Sequence, residues 1–469
     1  MRIDVPVLIV GAGPVGVMAA ILLHRQGIGC RVVERRSGPQ RAPAAHAVNA
    51  RTFEICRAAG VDMAALAAAS IPPEDASHVR WMTTLAGDEL GSLPYERQGE
   101  DLLPLTPTPL RNLSQHRFEP ILFDTLRRLG GEVSWDHAWE SATQDALGVT
   151  SRIRAGDQDY EVRSRWLLAA DGAGSRVRKS LGIELIGPQR LQSFVMIHFA
   201  ANLRGLVRDR PAILYWTTDP AATGAFVAHD IDATWVYMHP YEPDRESVRD
   251  YTDAACTAIV RRAIGTEAVS FAIRSISPWT MTAQVAEHYR ANRCFLLGDS
   301  AHRFPPTGGL GLNTGVQDAH NLVWKLGAVE RDEADASLLD TYECERRPVA
   351  HANADVSMRN AMRLIEVYQA LGTLGDPTTA ADTFAATLAD PAGREGVRTA
   401  IANQAEHFDL LGLQLGFVYT DGALVPDGRA RAEPADPVRD VAPAACVGGR
   451  LPHAWIQRDG ERVSTLDCC

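Results

Sequence analysis

Apolar positions along the chain change their period several times, and each change marks a different element. Residues 3–10 form a β-branched apolar run, residues 14–26 repeat apolar positions at helical spacing, and Cys30-Arg31-Val32-Val33-Glu34 returns to a strand pattern. That order predicts a β-α-β opening. From about 50 to 145, helical stretches at Ala50–Ala59 and Glu119–Leu129 are mixed with short irregular pieces. A strand pair over 147–170 then ends in Trp166-Leu167-Leu168-Ala169-Ala170-Asp171-Gly172, a strand running into a turn.

Between about 185 and 290 the pattern becomes a series of short alternating or aromatic-rich strands: Phe194–Ala200, Ile213–Thr217, Gly224–His229 and Thr234–Met238. A strand at Cys294–Leu297 returns to the first architecture. Helices follow at about 313–329 and 338–367, with weaker helical pattern to about 415. After Asp427 the chain is rich in Pro, Ala, Gly and Arg, with only short strand-like pieces. The predicted fold is α/β (α+β): a Rossmann-like unit over 1–184 that returns at 291–420, an antiparallel-sheet unit over 185–290, and a short terminal piece over 421–469.

Composition narrows the function. The chain has 469 residues, 46% apolar and 22% charged, the profile of a folded globular protein with more than one core. A net charge of -11 without any Lys/Arg run argues against nucleic acid as a partner. No apolar span approaches 20 residues and no leader-like cleavage pattern opens the chain, so a cytoplasmic location away from membranes is expected. Eight scattered cysteines lack CxxC spacing, so neither a metal site nor a disulfide framework is expected.

Gly11-Ala12-Gly13-Pro14-Val15-Gly16 is a GxGxxG between strand and helix. Gly11 permits the tight turn, Gly13 lets backbone N–H groups approach a pyrophosphate, and Gly16 lets helix and strand pack closely. Glu34 lies 23 residues after Gly11, where its carboxylate would accept hydrogen bonds from an adenosine ribose. Arg35 adjoins it. Arg41 and Arg51 are candidates for the pyrophosphate, or else helix caps.

Two later fragments have the same strand-then-turn setting. One is Asp171-Gly172-Ala173-Gly174-Ser175-Arg176; its bland reading is a capped helix. The other runs Gly298-Asp299-Ser300 to Pro305-Pro306-Thr307-Gly308-Gly309-Leu310-Gly311-Leu312-Asn313. There Asp299 would take hydrogen bonds from ribityl hydroxyls. The Gly-rich backbone leads into a helix whose N-terminus would face a flavin's pyrimidine edge.

Taken together, these three fragments resemble those of single-component FAD-dependent aromatic hydroxylases, the family of para-hydroxybenzoate and phenol hydroxylases. The likeness extends to His46-Ala47-Val48-Asn49-Ala50-Arg51-Thr52-Phe53-Glu54-Ile55, to Gln115-His116-Arg117 and to Tyr342-Glu343-Cys344-Glu345-Arg346-Arg347-Pro348. These segments are similar to the branch of 2,4-dichlorophenol, 2-hydroxybiphenyl and tailoring polyketide hydroxylases, over residues 1–420. Around Gly449–Trp455 the chain resembles the start of the family's thioredoxin-like third domain, here shortened.

The resemblance implies a para-hydroxybenzoate hydroxylase-like fold, FAD, NADPH or NADH as transient reductant, and O2 as co-substrate. Triplet oxygen reacts slowly with arenes, so a flavin C4a-hydroperoxide would carry the reaction, aided by an ionised phenol. The substrate would be a small aromatic or polyketide-derived molecule, and the protein a monomer or homodimer. His46, Asn49 and Pro306 would border the reacting ring, a polar loop cap being the other reading of His46 and Asn49, and Gln115 would touch the flavin. His198, Tyr215, Phe226, Trp235 and Tyr237 are candidates for the substrate wall. Baeyer–Villiger or epoxidising oxygenation is the alternative within the fold; a flavin-binding protein that no longer turns over is the alternative from another class.

Overall fold

The computed structural model describes residues 3–429, 432–442 and 445–468. Val5–Val10, Cys30–Glu34 and Val133–Trp135 pair in parallel on one side of the large sheet, and Gln158–Ala169 and Cys294–Leu296 on the other. Val7, Leu8 and Ile9 are sealed from solvent because helices cover both sheet faces. The helix Pro14–Arg25 makes the crossover between the first two strands. The helix Leu310–Glu330 packs beside it. All these strands end at the same edge, where ligands of open α/β sheets bind.

The second sheet has seven strands in the order Ala272–Met281, Gln192–Ala200, Thr234–Tyr241, Gly224–Asp230, Leu214–Thr217, His78–Met82, Glu89–Pro94. The last two differ from the sequence reading, which placed only helical and irregular pieces there. His78-Val79-Arg80-Trp81-Met82 is just five residues long; it pairs on one side with Leu214–Thr217, far along the chain, and on the other with Glu89–Pro94 after a short connection. Local pattern carries no trace of the distant pairing.

One face of this sheet closes on the helix Asp253–Ile264. Tyr215, Phe226, Trp235 and Tyr237 all lie in that core, fully buried among Val195, Ile197, Cys256 and Val260. They were candidates for the substrate wall, with a core role as the other reading; the structure places all four in this core. Their hydroxyls are used internally, Tyr237 donating to the Ala222 carbonyl at 2.8 Å and Tyr215 to that of Arg210 at 3.0 Å. Alternate residues of a strand share a face, and which face looks inward depends on the tertiary packing. His198 falls between the core residues Ile197 and Phe199, so it belongs to the opposite face.

The helix Thr341–Ala370 runs from one core to another. Tyr342 and Ala350 pack with the large sheet, while Leu364 and Val367 join Phe384, Val397 and Ile401 against Trp81 and Ile213. Beyond residue 450 the chain forms a hairpin, Trp455–Arg458 with Glu461–Ser464. It is fastened to the helix Ala50–Ala58: Arg450 donates Nε to Glu54 Oε2 at 2.7 Å, and Arg57 donates Nε to Asp467 Oδ1 at 2.6 Å. Among the described residues no helix is long and apolar enough to cross a membrane.

Candidate cofactor cleft and active site

The glycine turn after Val10 divides its work. A Cβ on Gly11, whose φ is +102°, would lie 2.3 Å from the Ala170 carbonyl oxygen, and one on Gly16 would lie 2.1 Å from the Gly11 oxygen. Both glycines are required for the chain to pack. A Cβ on Gly13 would meet nothing within 4 Å. Open space therefore lies over the N-terminus of Pro14–Arg25, where free N–H groups favour an anion. Pro14 opens that helix without losing an N–H it needs. The Val15 side chain wedges toward Gly298 and Gly315: Cβ atoms there would stand 3.0 and 2.5 Å from its Cγ2.

Glu34 ends the second strand with both oxygens occupied. Oε2 accepts the Ala12 N–H at 2.9 Å, and Oε1 accepts the Arg36 N–H at 3.0 Å and its Nε at 3.1 Å. Burial pushes this carboxyl up, but the Ala12 and Arg36 donors outweigh it and hold it below the usual carboxylate range. Arg36, which the sequence reading passed over, is thus the neighbour that orients Glu34. Arg35 and Arg41 are exposed and make no hydrogen bond among the described residues. Gln115 donates Nε2 to Glu119 Oε1 at 2.7 Å, and Glu119 Oε2 accepts the Gln40 N–H at 3.0 Å. These two residues hold the 40–45 loop against the helix Gln115–Arg128.

Asp171 caps the short helix Arg176–Ser180. It accepts Ser175 Oγ at 2.6 Å and the N–H groups of Arg176 and Val177 at 2.7 and 3.2 Å. Gly172 takes φ +81° to turn the chain there, and Arg176 reaches outward to Glu140. Arg178 is buried, bonded to the Ile183 carbonyl at 2.7 Å, and leaves Nε unpartnered; Arg303, bonded to Gln284, does likewise.

Asp299 differs from the other acids. It is open to solvent through the cleft yet ringed by the chain, and makes no hydrogen bond among the described residues. That surrounding raises its carboxyl pKa, with His302 and Arg303 pulling the other way. Below it lies a sealed cluster: His302 Nε2 and Asp318 Oδ2 are 2.7 Å apart, and Arg346 Nε donates to Asp318 Oδ1 at 2.8 Å. Asp318 Oδ2 also accepts the Gly298 N–H at 3.2 Å, fixing the turn that presents Asp299.

Pro306 is exposed, and its carbonyl accepts the Gly309 N–H at 3.1 Å. Gly309 has φ +62°, and a Cβ there would press within 2.7 Å of the Ala47 side chain. Leu310 is buried, Leu312 half-buried, and a Cβ on Gly311 would meet nothing within 4 Å. A second long helix thus presents an uncovered N-terminus. Asn313 in its first turn is bound on both ends of its amide, and Asn49 caps the facing helix through Thr52 N–H at 2.9 Å.

His46 stands beside Tyr95 and His229, with ring centroids 6.1 and 5.8 Å away. His229 is bonded to Ser114 Oγ at 2.6 Å. Burial lowers the pKa of both imidazoles; for His229 the neighbouring His46, His116 and His198 lower it further. A group of neutral histidines therefore lies where the second sheet meets the 46–49 loop. His46, His116 and His229 of this group come from scattered segments, and no local motif announces them together.

This geometry suits a flavin dinucleotide: two uncovered helix N-termini, glycines whose missing Cβ atoms leave room, an ionised acid at a strand tip and an unpartnered carboxylate in the cleft. The sequence matches the FAD binding domain family over residues 4–357. It is 32% identical over 490 residues to 2,4-dichlorophenol 6-monooxygenase of Delftia acidovorans, covering all of this chain and 83% of that protein. Its fold superposes on the flavin-dependent monooxygenase PieE, solved with FAD and substrate, with TM-score 0.92 and 36% identity, over 100% of this chain and 84% of the other. Aklavinone-11 hydroxylase in complex with FAD and aklavinone gives TM-score 0.82 and 31% identity, over 100% and 83%. The chain belongs to the FAD binding domain family, and within it to the FAD-dependent monooxygenases that hydroxylate aromatic and polyketide molecules.

Proposed function

We propose that this protein couples NADPH or NADH oxidation to insertion of one oxygen atom from O2 into a phenolic or polyketide-derived ring. FAD would be held by the Gly11–Gly16 turn, Glu34, Asp299 and the backbone of Gly309–Asn313, with Arg35, Arg41 and Gln115 at the 35–45 loop. Once reduced, it supplies the activated oxygen. Asp171, Gly172 and Arg176 would shape the neighbouring wall rather than bind through the occupied Asp171 carboxylate. Pro306 and the fastened 46–49 loop would border the reacting ring.

The chain's own residues then have three tasks. The second sheet, on the face that carries His198 and His229, would seat the arene. The packed loops would exclude water from it. His46 would take the hydroxyl proton, raising electron density at the ring carbons ortho and para to oxygen. The observation that carries this reading is geometric: His46, held 3.0 Å from Asn112 Oδ1, sits in the 46–49 loop that Asn313 ties to the N-terminus of Leu310–Glu330.

Hydroxylation is favoured over Baeyer–Villiger or epoxidising chemistry because the related proteins are named as a 2,4-dichlorophenol 6-monooxygenase and an aklavinone-11 hydroxylase. Purified protein should be yellow, and a phenol or polyketide panel should contain members that accelerate its NAD(P)H oxidation. Flavin-free protein that cannot take up FAD would contradict the proposal.

A further inference from the structure

The orientation of His46 is set by two side-chain amides, Asn112 sealed from solvent and Gln98 half-buried. Gln98 Nε2 donates to the carbonyl oxygens of Ala76 at 3.0 Å and Tyr95 at 2.7 Å. Two carbonyls can be satisfied only by the NH2 end, so the other end, Oε1, faces Asn112. There it accepts Asn112 Nδ2 at 3.2 Å. Asn112 is sealed from solvent, on a two-residue strand paired with Ala47–Val48, and its carbonyl accepts the Ile71 N–H at 2.8 Å. With Nδ2 committed to Gln98, the atom left for His46 is Oδ1, 3.0 Å from His46 Nδ1.

An amide oxygen only accepts, so the imidazole nitrogen facing it must carry the hydrogen. In a neutral ring that leaves Nε2 bare. Nε2 makes no hydrogen bond among the described residues, and His46 is half-buried rather than sealed. The three groups come from segments around 46, 98 and 112, converging on one nitrogen.

We propose that Gln98 and Asn112 are positioning residues that hold His46 as its Nδ1–H tautomer, so that Nε2 is the lone pair that takes the substrate's hydroxyl proton. This rests on the hydroxylase reading above. The substrate O–H bond breaks and leaves its electron pair on oxygen; the Nε2–H bond forms, giving an imidazolium. Asn112 Oδ1 accepts from Nδ1–H in both states, so the amide chain does not turn over during the transfer. A substrate without an acidic hydroxyl gains nothing from it.

The test uses FAD-loaded enzyme labelled with nitrogen-15 in histidine, His46 being assigned by the signal lost in His46→Gln. At pH above the ring's lowered pKa, Nδ1 should show the shift of a protonated nitrogen and Nε2 that of a bare one. In Asn112→Leu the two tautomers should mix, and kcat on a phenol should fall by about tenfold or more below the phenol's own pKa, recovering as pH rises and the phenol ionises unaided. Asn112→Asp keeps an acceptor and should restore the Nδ1–H signature. Nε2–H in the wild-type enzyme overturns the proposal, whatever the variants do. If the tautomer is as stated but no arene is hydroxylated, it is the functional reading that fails.

Discussion

Asn313 Oδ1, in the first turn of the helix Leu310–Glu330, accepts the backbone N–H of Asn49 at 2.9 Å. The same oxygen accepts Thr52 Oγ1 at 2.8 Å, and Nδ2 donates to the carbonyls of Ala47 and Gly309 at 2.8 and 2.6 Å. One buried amide therefore joins the loop carrying His46 to the helix end expected to face the flavin. Asn313→Ala leaves several buried groups unpartnered and should lower stability by about 1–3 kcal/mol, read as a drop in Tm. Its FAD affinity should fall as well, because the two walls are no longer locked together.

The glycines of the first turn should separate folding from binding. Gly13 has φ -72° and ψ 178°, and open space where a Cβ would go. Gly13→Ala should therefore leave the flavin-free Tm nearly unchanged while weakening FAD by roughly tenfold, about 1.4 kcal/mol. Gly11→Ala meets the Ala170 carbonyl and a positive φ, and should destabilise the protein itself by about 1–3 kcal/mol. Paired melting and FAD titration of the two variants checks this.

Asp299 gives a pH dependence of definite sign. Its folded pKa is raised above the ordinary 3.8, so folding disfavours its ionised form. The penalty is absent below pH 3.8, grows as pH rises through the raised value and is full above it. Asp299→Asn should thus melt higher than wild type without FAD at neutral pH, with the gap closing as pH falls toward 3.8. With FAD present, the same variant should bind more weakly. A gap that widens toward acid would show the opposite shift.

The two faces of the second sheet should respond differently to truncation. Trp235→Ala empties a core position and should lose about 3–5 kcal/mol of stability. His198→Ala, on the half-buried opposite face, should stay within about 1 kcal/mol of wild type while raising KM for the aromatic substrate. Denaturant melts and steady-state kinetics on both variants separate the roles.

Much of the cofactor cleft was legible in the chain because its signals are local. Gly11–Gly16, Glu34 and the Gly298–Asn313 run each state their geometry within a few residues, and helix N-termini follow from them. Which face of the second sheet is core was not legible. Alternation announces that Trp235 and Tyr237 share a face, but not that Tyr215 and Phe226 on other strands join them or that the helix Asp253–Ile264 covers that face. The strands at 78–94 were missed although they pair with each other: the first is only five residues long, the second buries no side chain fully, and the first's other partner, Leu214–Thr217, lies far along the chain. The His302–Asp318–Arg346 cluster and the Gln98–Asn112–His46 chain assemble from distant segments, and only the folded chain puts their atoms at 2.7–3.2 Å.

Oxygen-18 incorporation tests the central claim most directly. FAD-loaded enzyme, NAD(P)H and oxygen-18 gas, run with a phenol or hydroxylated polyketide that stimulates NAD(P)H oxidation, should yield a product carrying one labelled oxygen on a ring carbon ortho or para to the existing hydroxyl. Label absent from the product, or inserted into a carbon–carbon bond to give an ester or lactone, would contradict it.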